Sequence, residues 1–445
     1  MSPTFRSLHN RNYRLYASGA VVSNVGTWMQ RVAQDWLVLQ LTHNSGTALG
    51  ITTGLQFLPI LLLSPYAGLV ADRFPKRRLL QVTQTMLAVP ALLLGLLAVT
   101  GVAQTWQVFA LAFVFGIGSA FDAPTRQSFV SEIVGQDDLT NAVGLNSASF
   151  NLARMIGPAL AGLLIAALGS GVQATGAVIL VNAVSYGAVI VSLQRMRESE
   201  LQPSVRAGRH RGMIREGVRY TLRRPDLMMI LTIVFFAGTF GLNFQITSAL
   251  MATEVFHKGA GEYGLLGTTL AIGSLSGALL AARRGRIRHR LVIAAAGIFG
   301  LAEVVGGLMP SYAAFAVWTP VIGIASLTLI TSANASFQMS VDPMMRGRVM
   351  ALYMMVFMGG TPIGAPIVGW VGADLRAPLD ARRRWARHRA RNAAGGAGLQ
   401  SRPGPDRPPR GAGRRRRGRR GGGRPRLVVG VVARRRAPDQ IPERR

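Results

Sequence analysis

The chain has 445 residues, a formal net charge of +31 and a positive mean hydropathy, which coexist only if charge and apolarity are separated along the sequence. Residues 371–445 contain 23 Arg, no Lys and five acidic residues, so they carry +18 and the other 370 residues carry +13. There is no cysteine, which excludes disulfides, thiolate metal sites and cysteine nucleophiles. The histidines lie outside the apolar runs, and no phosphate-binding Gly-Lys-Ser/Thr loop is present. We therefore expect no enzyme, no metal site and no cofactor.

Eleven stretches are long and apolar enough to cross a bilayer, which takes about 20 helical residues. In chain order they are 14–40, 47–71, 79–101, 105–130, 141–168, 173–194, 227–252, 263–282, 290–309, 312–335 and 348–371. The first follows Arg6, Arg11 and Arg14 without a small-residue cleavage site, which favours a membrane span over a removable signal peptide. The sequence thus predicts an all-α integral membrane protein.

The loops between these stretches alternate in charge. Basic residues crowd the amino terminus, 73–78, Arg126, the 195–224 segment, 283–290, Arg346 and Arg348. The intervening loops near 41–46, 101–104, 169–172, 253–262 and 310–311 contain a single basic residue, Lys258. Because positive loops stay in the cytoplasm, the pattern predicts a multi-pass protein with a cytoplasmic amino terminus and membrane lipid as a partner.

The spans fall into two groups that look related. A polar, Arg-rich linker at 196–225 separates a six-helix bundle at 1–195 from a five-helix bundle at 226–372. Ile156-Gly157 with Gly162 recurs as Ile363-Gly364 with Gly369, at an offset of 207 residues. Such a repeat indicates two pseudo-symmetric bundles with a substrate site between them near the membrane midplane. Chance recurrence of glycine in apolar helices is the alternative.

The loop after the second span combines a carboxylate with a basic turn. It reads Gly68-Leu-Val-Ala-Asp72-Arg73-Phe-Pro75-Lys76-Arg77-Arg78. A carboxylate at a helix end can hold the positive terminus of a neighbouring helix, and arginines anchor at lipid headgroups. The run resembles the signature loop of the major facilitator superfamily, from which Val70, Pro75 and the order of Lys76 and Arg77 depart. A plain basic turn would explain the arginines but not Gly68 with Asp72.

The resemblance implies a gate at this loop. In the superfamily the carboxylate clamps the start of the eleventh helix in the state closed to the cytoplasm, so Asp72 is expected to face the region from Arg346 to Val349. Asp122 and Arg126, at the cytoplasmic end of the fourth span, are also expected to act in gating. The predicted gating set is Gly68, Asp72, Arg73, Lys76, Arg77, Asp122, Arg126, Arg346 and Arg348.

The fifth span carries a second motif. The run Ala153-Arg154-Met-Ile-Gly157-Pro158-Ala-Leu-Ala161-Gly162 resembles the pattern associated with proton-coupled antiporters of the superfamily, with Ala for two of its glycines. Small residues with a proline give a bent, tightly packing helix face. Arg154, Gly157, Pro158 and Gly162 are the residues that carry it. Ordinary small-residue packing is the alternative.

Further similarity covers residues from about 5 to 371. The stretches 5–15, 23–30, 121–127 and 346–353 look like the branch that includes enterobactin-type siderophore exporters and related bacterial efflux proteins. The resemblance implies a bacterial cytoplasmic (inner) membrane protein. A twelfth helix is also implied after about residue 372, and the sequence does not supply it.

Polar residues inside the spans are costly and therefore functional candidates. Arg31 and Asp35 are four residues apart, on one helix face, and could either handle substrate and protons or form a structural ion pair. Glu303 stands alone in the ninth span, where a structural role is favoured over proton exchange. The complete set of substrate and proton candidates is Asn24, Gln30, Arg31, Gln34, Asp35, Arg154, Asn243, Gln245, Glu303 and Asn334.

Residues 373–445 break the pattern, because Arg, Gly, Pro and Ala dominate them. We expect a disordered tail, or the product of a reading-frame shift in a gene of high GC content. An evolved basic tail that binds RNA or anionic lipid is the alternative that composition alone would suggest. Since the frame-shift reading is favoured, no nucleic-acid partner is expected.

These observations together predict a secondary active transporter. The expected activity is proton-coupled export of small amphipathic molecules, siderophore-like or drug-like, by alternating access, with protons as coupling ion and a monomer as the working form. Uptake by a transporter of the same superfamily, or a truncated membrane protein that transports nothing, are the alternatives.

Overall fold

A computed structural model describes residues 3–202, 213–282, 289–342 and 345–374, and within these ranges the chain is helical apart from short turns. The helices are α1 Arg11–Leu41, α2 Gly46–Arg73, α3 Lys76–Val99, α4 Thr105–Gly135, α5 Asp137–Ala167, α6 Val172–Gln194, α7 Met213–Leu222, α8 Pro225–Val255, α9 Ala260–Ala282, α10 His289–Gly307, α11 Tyr312–Met339 and α12 Arg346–Asp374. All eleven predicted spans are therefore helices. The expectations for the tail lie outside the described residues from position 375 onward.

Within the described part of the chain, ten helices are long and apolar enough to cross a membrane, and α1 is not among them. It has 31 residues, a length of about 46 Å, so polarity rather than length sets it apart. Gln30, Arg31, Gln34 and Asp35 lower its mean hydropathy. These side chains avoid lipid because α1 packs between α5 and α6, where most of its residues are half-buried or buried.

The sequence repeat corresponds to a repeat in packing inside each half. A Cβ at Gly157 of α5 would lie 2.6 Å from the Trp28 Cβ of α1. A Cβ at Gly364 of α12 would collide in the same way with the Thr239 carbonyl of α8. The matched glycines thus let α5 contact α1 and α12 contact α8, as expected for two pseudo-symmetric bundles.

The second pair of matched glycines joins the two halves. A Cβ at Gly162 of α5 would lie 2.5 Å from the Ala260 carbonyl oxygen of α9. A Cβ at Gly369 of α12 would collide with the Gly46 carbonyl oxygen of α2. Both crossings lie at the end of the protein that holds the turns near 42–45, 168–171 and 256–259, here called the arginine-poor end.

The halves separate toward the opposite, arginine-rich end. Antiparallel α2 and α12 still touch at Leu61 and Gly359, but Tyr66, further along α2, is 64% exposed. On α5, a Cβ added at Gly144 would meet nothing within 4 Å. Among the described residues, the ion pairs at this end all lie within one half. The structure is thus closed at one end and open at the other.

The arginine-rich end of the first half is organised around a kink between α4 and α5. Gly135 turns the chain with φ +70°, so the two helices abut without a loop. Amino-terminal residues fasten this corner: the Asn10 amide donates to the Ile133 carbonyl at 3.0 Å, and the Ser7 hydroxyl donates to Asn141 at 2.7 Å. The amino-terminal stretch 5–15 therefore helps to hold this corner together.

Two features of the second half were not predicted from the sequence. Helix α7 is a short amphipathic helix within the predicted linker, and its Gly217 lies against the backbone of Arg348 at the start of α12. Helix α8 is interrupted, with π-helical turns at Ala237–Gly241 and Met251–Val255. Such interruptions in a span concentrate at functional sites of transporters.

Candidate functional site

The two halves are joined beside a carboxylate on α1. The Tyr263 hydroxyl of α9 donates to Asp35 Oδ2 at 2.9 Å, and Asp35 is only 7% exposed. The Tyr263 ring stacks on Trp36, with 6.4 Å between centroids and 22° between planes. A hydrogen bond from a hydroxyl stabilises an ionised carboxylate in a site with little water.

Of the two alternatives for Arg31 and Asp35, the local ion pair is not formed: among the described residues no ion pair within 4.0 Å joins them. The Arg31 guanidinium instead lies 5.1 Å from the Trp28 ring centroid and 5.3 Å from that of Phe57 on α2. Helical spacing permits the pair, but the aromatic faces and Tyr263 compete for the two charged groups.

Arg154 of α5 reaches the same indole. Its guanidinium carbon lies 5.6 Å from the Trp28 centroid, while Phe150, one turn earlier, meets that ring edge-to-face at 5.7 Å. We call Trp28, Arg31, Phe57, Phe150 and Arg154 the Trp28 cluster. It joins α1, α2 and α5 near the middle of each helix.

The antiporter-like motif shapes this region. Gly157 lets α5 approach α1 at Trp28, as described above. Pro158 packs against α9, where a Cβ added at Gly267 would lie 2.9 Å from the Pro158 Cβ. The Thr268 hydroxyl of α9 donates to the Met155 carbonyl at 2.8 Å. The motif therefore packs against α1 on one face and against α9 of the second half on the opposite face.

Two glutamines of α1 have neutral partners. The Asn182 amide of α6 donates to Gln30, and Ser185 donates to the Asn182 side-chain oxygen at 2.8 Å. The Gln34 amide donates to Gln56 of α2 at 3.0 Å. These bonds satisfy buried amides and hold α1 against α6 and α2.

The remaining candidates do not gather with these. Asn24 and Gln245 are half-buried on α1 and α8. Asn243 donates to the Thr239 carbonyl at 2.6 Å, inside the interrupted part of α8, and Asn334 accepts from Gln338 on its own helix. Glu303 on α10 has a buried Oε1 with no hydrogen-bond partner among the described residues.

The basic turn after α2 makes specific contacts inside the first half. Lys76 forms a 2.5 Å ion pair with Glu132 of α4, and both side chains are nearly buried, at 8% and 12% exposure. Arg77 donates to the Leu193 and Gln194 carbonyls at 2.7 and 3.0 Å, which closes the last turn of α6. The Arg77 contacts satisfy carbonyls at a helix carboxyl terminus, and the gating role of Lys76 and Arg77 stays a prediction.

Asp122 and Arg126 form one hydrogen-bonded unit at the same end. The guanidinium donates twice to Asp122 Oδ2, at 3.0 and 3.1 Å. Asp122 Oδ1 accepts from Thr83 at 2.9 Å and from Gln84 at 2.6 Å. The buried carboxylate thereby ties α4 to α3.

The start of α12 is bound within the second half. Arg348 pairs with Glu216 of α7 at 2.5 Å. Arg224, before α8, binds Asp226 at 2.6 Å, and this hydrogen bond raises the pKa of Arg224. The side chains of Asp72 and Arg346 lie outside the described part, Gly68 is half-buried and Arg73 is exposed. The clamp expected at Asp72 stays a prediction, although α2 and α12 bring those two helix ends to one level.

Comparison with known proteins identifies the chain. Residues 2–381 match the family described as transmembrane secretion effector. The chain belongs to this family. It is accordingly a multi-pass membrane transporter of the major facilitator type and not an enzyme.

The curated relatives of this transporter carry out transport and efflux. The staphyloferrin A transporter of Staphylococcus aureus is 25% identical over 81% of this chain and 89% of that protein. Macrolide efflux protein A of Streptococcus pyogenes is 24% identical over 79% of this chain and 87% of that protein. The crystal structure of a bacterial homologue of the lysosomal transporter Spinster, inward-facing and unoccupied, shares the fold with a TM-score of 0.66, at 14% identity over 85% of this chain and 86% of that one.

Sequence reasoning missed the partners of the transporter's polar residues. Tyr263, Phe57 and Phe150 were not selected, and Trp28 entered only as part of a family-like stretch. An aromatic residue in an apolar span carries no signal of its own. The useful signal was Gly157, because a glycine in the middle of a span indicates close approach of another helix.

Proposed function

We propose that this transporter is a proton-coupled exporter of small amphipathic molecules, working by alternating access in the bacterial cytoplasmic membrane. Its amino terminus and arginine-rich end lie in the cytoplasm, as the charge asymmetry of the loops predicts. The observation that carries the proposal is the buried carboxylate of Asp35, bonded to Tyr263 of the other half.

The direction of transport rests on two supports. The relatives include a protein named for macrolide efflux. The end that stands open is the arginine-rich end, so cargo enters the cleft from the cytoplasm. The arginine-poor end then has to open for release, which requires the crossings at Gly162 and Gly369 to separate.

Proton coupling follows from what such opening does to Asp35. When α1 and α9 part, Tyr263 leaves the carboxylate, and a proton from outside replaces the hydroxyl as its partner. When the arginine-poor end closes again, Tyr263 returns to the carboxylate, and in this cycle the proton is released to the open cytoplasmic side. Each cycle thereby exchanges one inward proton for outward cargo.

Everted membrane vesicles test this function. Their lumen is acidified and accumulation of erythromycin and of pyrenebutyrate is measured, since one is a macrolide and the other a small amphipathic acid. We expect accumulation of at least one compound, abolished by a protonophore and by Asp35→Asn. Asp137→Asn changes an exposed carboxylate and serves as the matched control. Accumulation that survives Asp35→Asn, or movement only in the opposite direction, contradicts the proposal.

A further inference from the structure

The Trp28 cluster places two positive charges on one aromatic ring. The Arg31 and Arg154 guanidinium carbons lie 5.1 and 5.6 Å from the Trp28 centroid. Within the described part of the chain, neither side chain makes a hydrogen bond or an ion pair, and both are half-buried. The N–H donors of both guanidiniums therefore have no protein acceptor among the described residues.

The nearest acidic group does not balance these charges. Asp35, one turn from Arg31, has its Oδ2 on Tyr263. Two guanidiniums and one carboxylate leave a local charge of +1 near the middle of α1 and α5. Unpaired charge at this depth is costly, and cation–π contacts offset only about 1–2 kcal/mol each. An anion between the guanidiniums would complete the site.

The aromatic residues of the Trp28 cluster indicate which chemical groups the rest of such a ligand would carry. Trp28, Phe57 and Phe150 surround the guanidiniums with aromatic surface, and Phe150 is 46% exposed. Guanidinium groups bind carboxylates and phosphates through paired N–H donors, while aromatic rings hold apolar or planar groups. The arrangement fits an amphipathic molecule with an oxyanion at one end.

The cluster also lies where movement of the halves would reach it. Met155, next to Arg154, accepts the hydrogen bond from Thr268 of α9, and Gly157 fixes α5 on Trp28. Opening of the arginine-poor end would displace α5 relative to α9 while the ligand stays on the first half. A negative-inside membrane potential favours outward movement of an anion, by about 2.3 kcal/mol per charge and 100 mV.

We infer that the Trp28 cluster is the cargo site and that the cargo is an amphipathic anion whose carboxylate is held between Arg31 and Arg154. The inference rests on the proposed export function and adds the class of substrate. A charged cargo at Arg31 also changes the electrostatic environment of Asp35, one helical turn away, which gives cargo and proton a direct physical link.

Binding to the purified full-length protein in non-ionic detergent, without anionic lipid, tests the site. The probes are pyrenebutyrate and the neutral pyrenebutanol, which differ in the oxyanion. We expect the wild type to bind the carboxylate about tenfold more tightly than the alcohol, and Arg31→Gln or Arg154→Gln to remove most of that preference. Arg31→Lys should keep part of it. Arg14→Gln, an exposed arginine on the same helix, is the matched control and should keep all of it.

The outcomes separate this inference from the proposed function. Equal binding of both probes, no saturable binding of pyrenebutyrate, or a preference that survives Arg31→Gln with Arg154→Gln overturns the anion site. Displacement of pyrenebutyrate by phosphatidylglycerol, without its export in vesicles, assigns the site to a lipid headgroup and also overturns it as a cargo site. Proton-driven export of erythromycin with no preference for the anionic probe would support the export function and contradict the anion site. A clear preference for the carboxylate without proton-driven transport would support the anion site and contradict the proposed export function.

Discussion

The Tyr263 hydroxyl binds Asp35 across 228 positions of sequence and across the junction of the two halves, at 2.9 Å. This bond links the closure of the arginine-poor end to the state of a buried carboxyl. In the proposed export cycle, closure of this end and release of the proton would be two aspects of one event.

Tyr263→Phe should uncouple these events while the fold is kept. Loss of the hydroxyl leaves Asp35 without its donor in the closed state, so the ionised form loses about 1.5–3 kcal/mol of stabilisation. We expect proton-driven export to fall about tenfold or more. Tyr312→Phe is the matched control, because the Tyr312 hydroxyl donates to the Glu262 carbonyl within one half. Equal losses in both variants would show a general effect of removing a tyrosine hydroxyl.

Gly162→Leu should force the arginine-poor end open. The new side chain begins 2.5 Å from the Ala260 carbonyl oxygen, and overpacking of this kind costs about 1–3 kcal/mol. Because the chain has no cysteine, Ala260→Cys supplies a single thiol that is buried at 1% exposure in the closed state. A membrane-impermeant thiol reagent applied from outside should label it in the Gly162→Leu background.

The control for that experiment is Gly187→Leu, since a Cβ at Gly187 meets nothing within 4 Å. In the Gly187→Leu background, the Ala260→Cys thiol should stay protected from the impermeant reagent. Protection of the thiol in the Gly162→Leu background would mean that α5 and α9 tolerate the added bulk without separating.

Glu132→Gln should destabilise the first half strongly. It removes the charge that pairs with Lys76, which is 8% exposed, and breaking a buried pair on one side costs about 3–5 kcal/mol. Thermal unfolding in detergent measures the loss. Glu200→Gln breaks the exposed pair with Arg197 and should change stability by less than about 1 kcal/mol. A shift of similar size in both variants contradicts a special role for the buried pair.

Gly135→Ala should weaken the corner between α4 and α5. Its φ of +70° and ψ of −173° lie in a region that essentially only glycine adopts, at a cost of about 1–3 kcal/mol for other residues, and the new Cβ would lie 2.7 Å from Gln202. Gly144→Ala, in helical backbone with open space, should instead stabilise by up to about 1 kcal/mol. We expect the unfolding temperature to fall for Gly135→Ala and to rise for Gly144→Ala. An unchanged unfolding temperature for Gly135→Ala would argue against the kink.

The helices could be predicted from sequence because each span is a long apolar run, a property that needs no knowledge of neighbours. The charge alternation separated the arginine-rich from the arginine-poor end for the same reason. Helix α7 escaped notice because it is short and rich in arginine. The sequence suggested a loop after residue 130, whereas Gly135 lets α4 and α5 abut.

The candidate site was only partly predictable. Polar residues on α1 stood out because they are costly in lipid, but their partners lie on other helices. The helical spacing of Arg31 and Asp35 allowed a local pair. In the structure, residues that are distant in sequence contact each charged group instead: Tyr263 binds the carboxylate and Phe57 faces the guanidinium. Contacts of such sequence separation follow only from how the halves pack.

Proton movement measured in proteoliposomes tests the central claim most directly. The purified protein is reconstituted with a trapped pH indicator, and a gradient of pyrenebutyrate or erythromycin is imposed. We predict that movement of the transported compound drives protons in the opposite direction in the wild type and in Asp137→Asn, and not in Asp35→Asn. Transport without any proton movement, or the same proton movement in Asp35→Asn, would contradict an exchange that runs through this carboxyl.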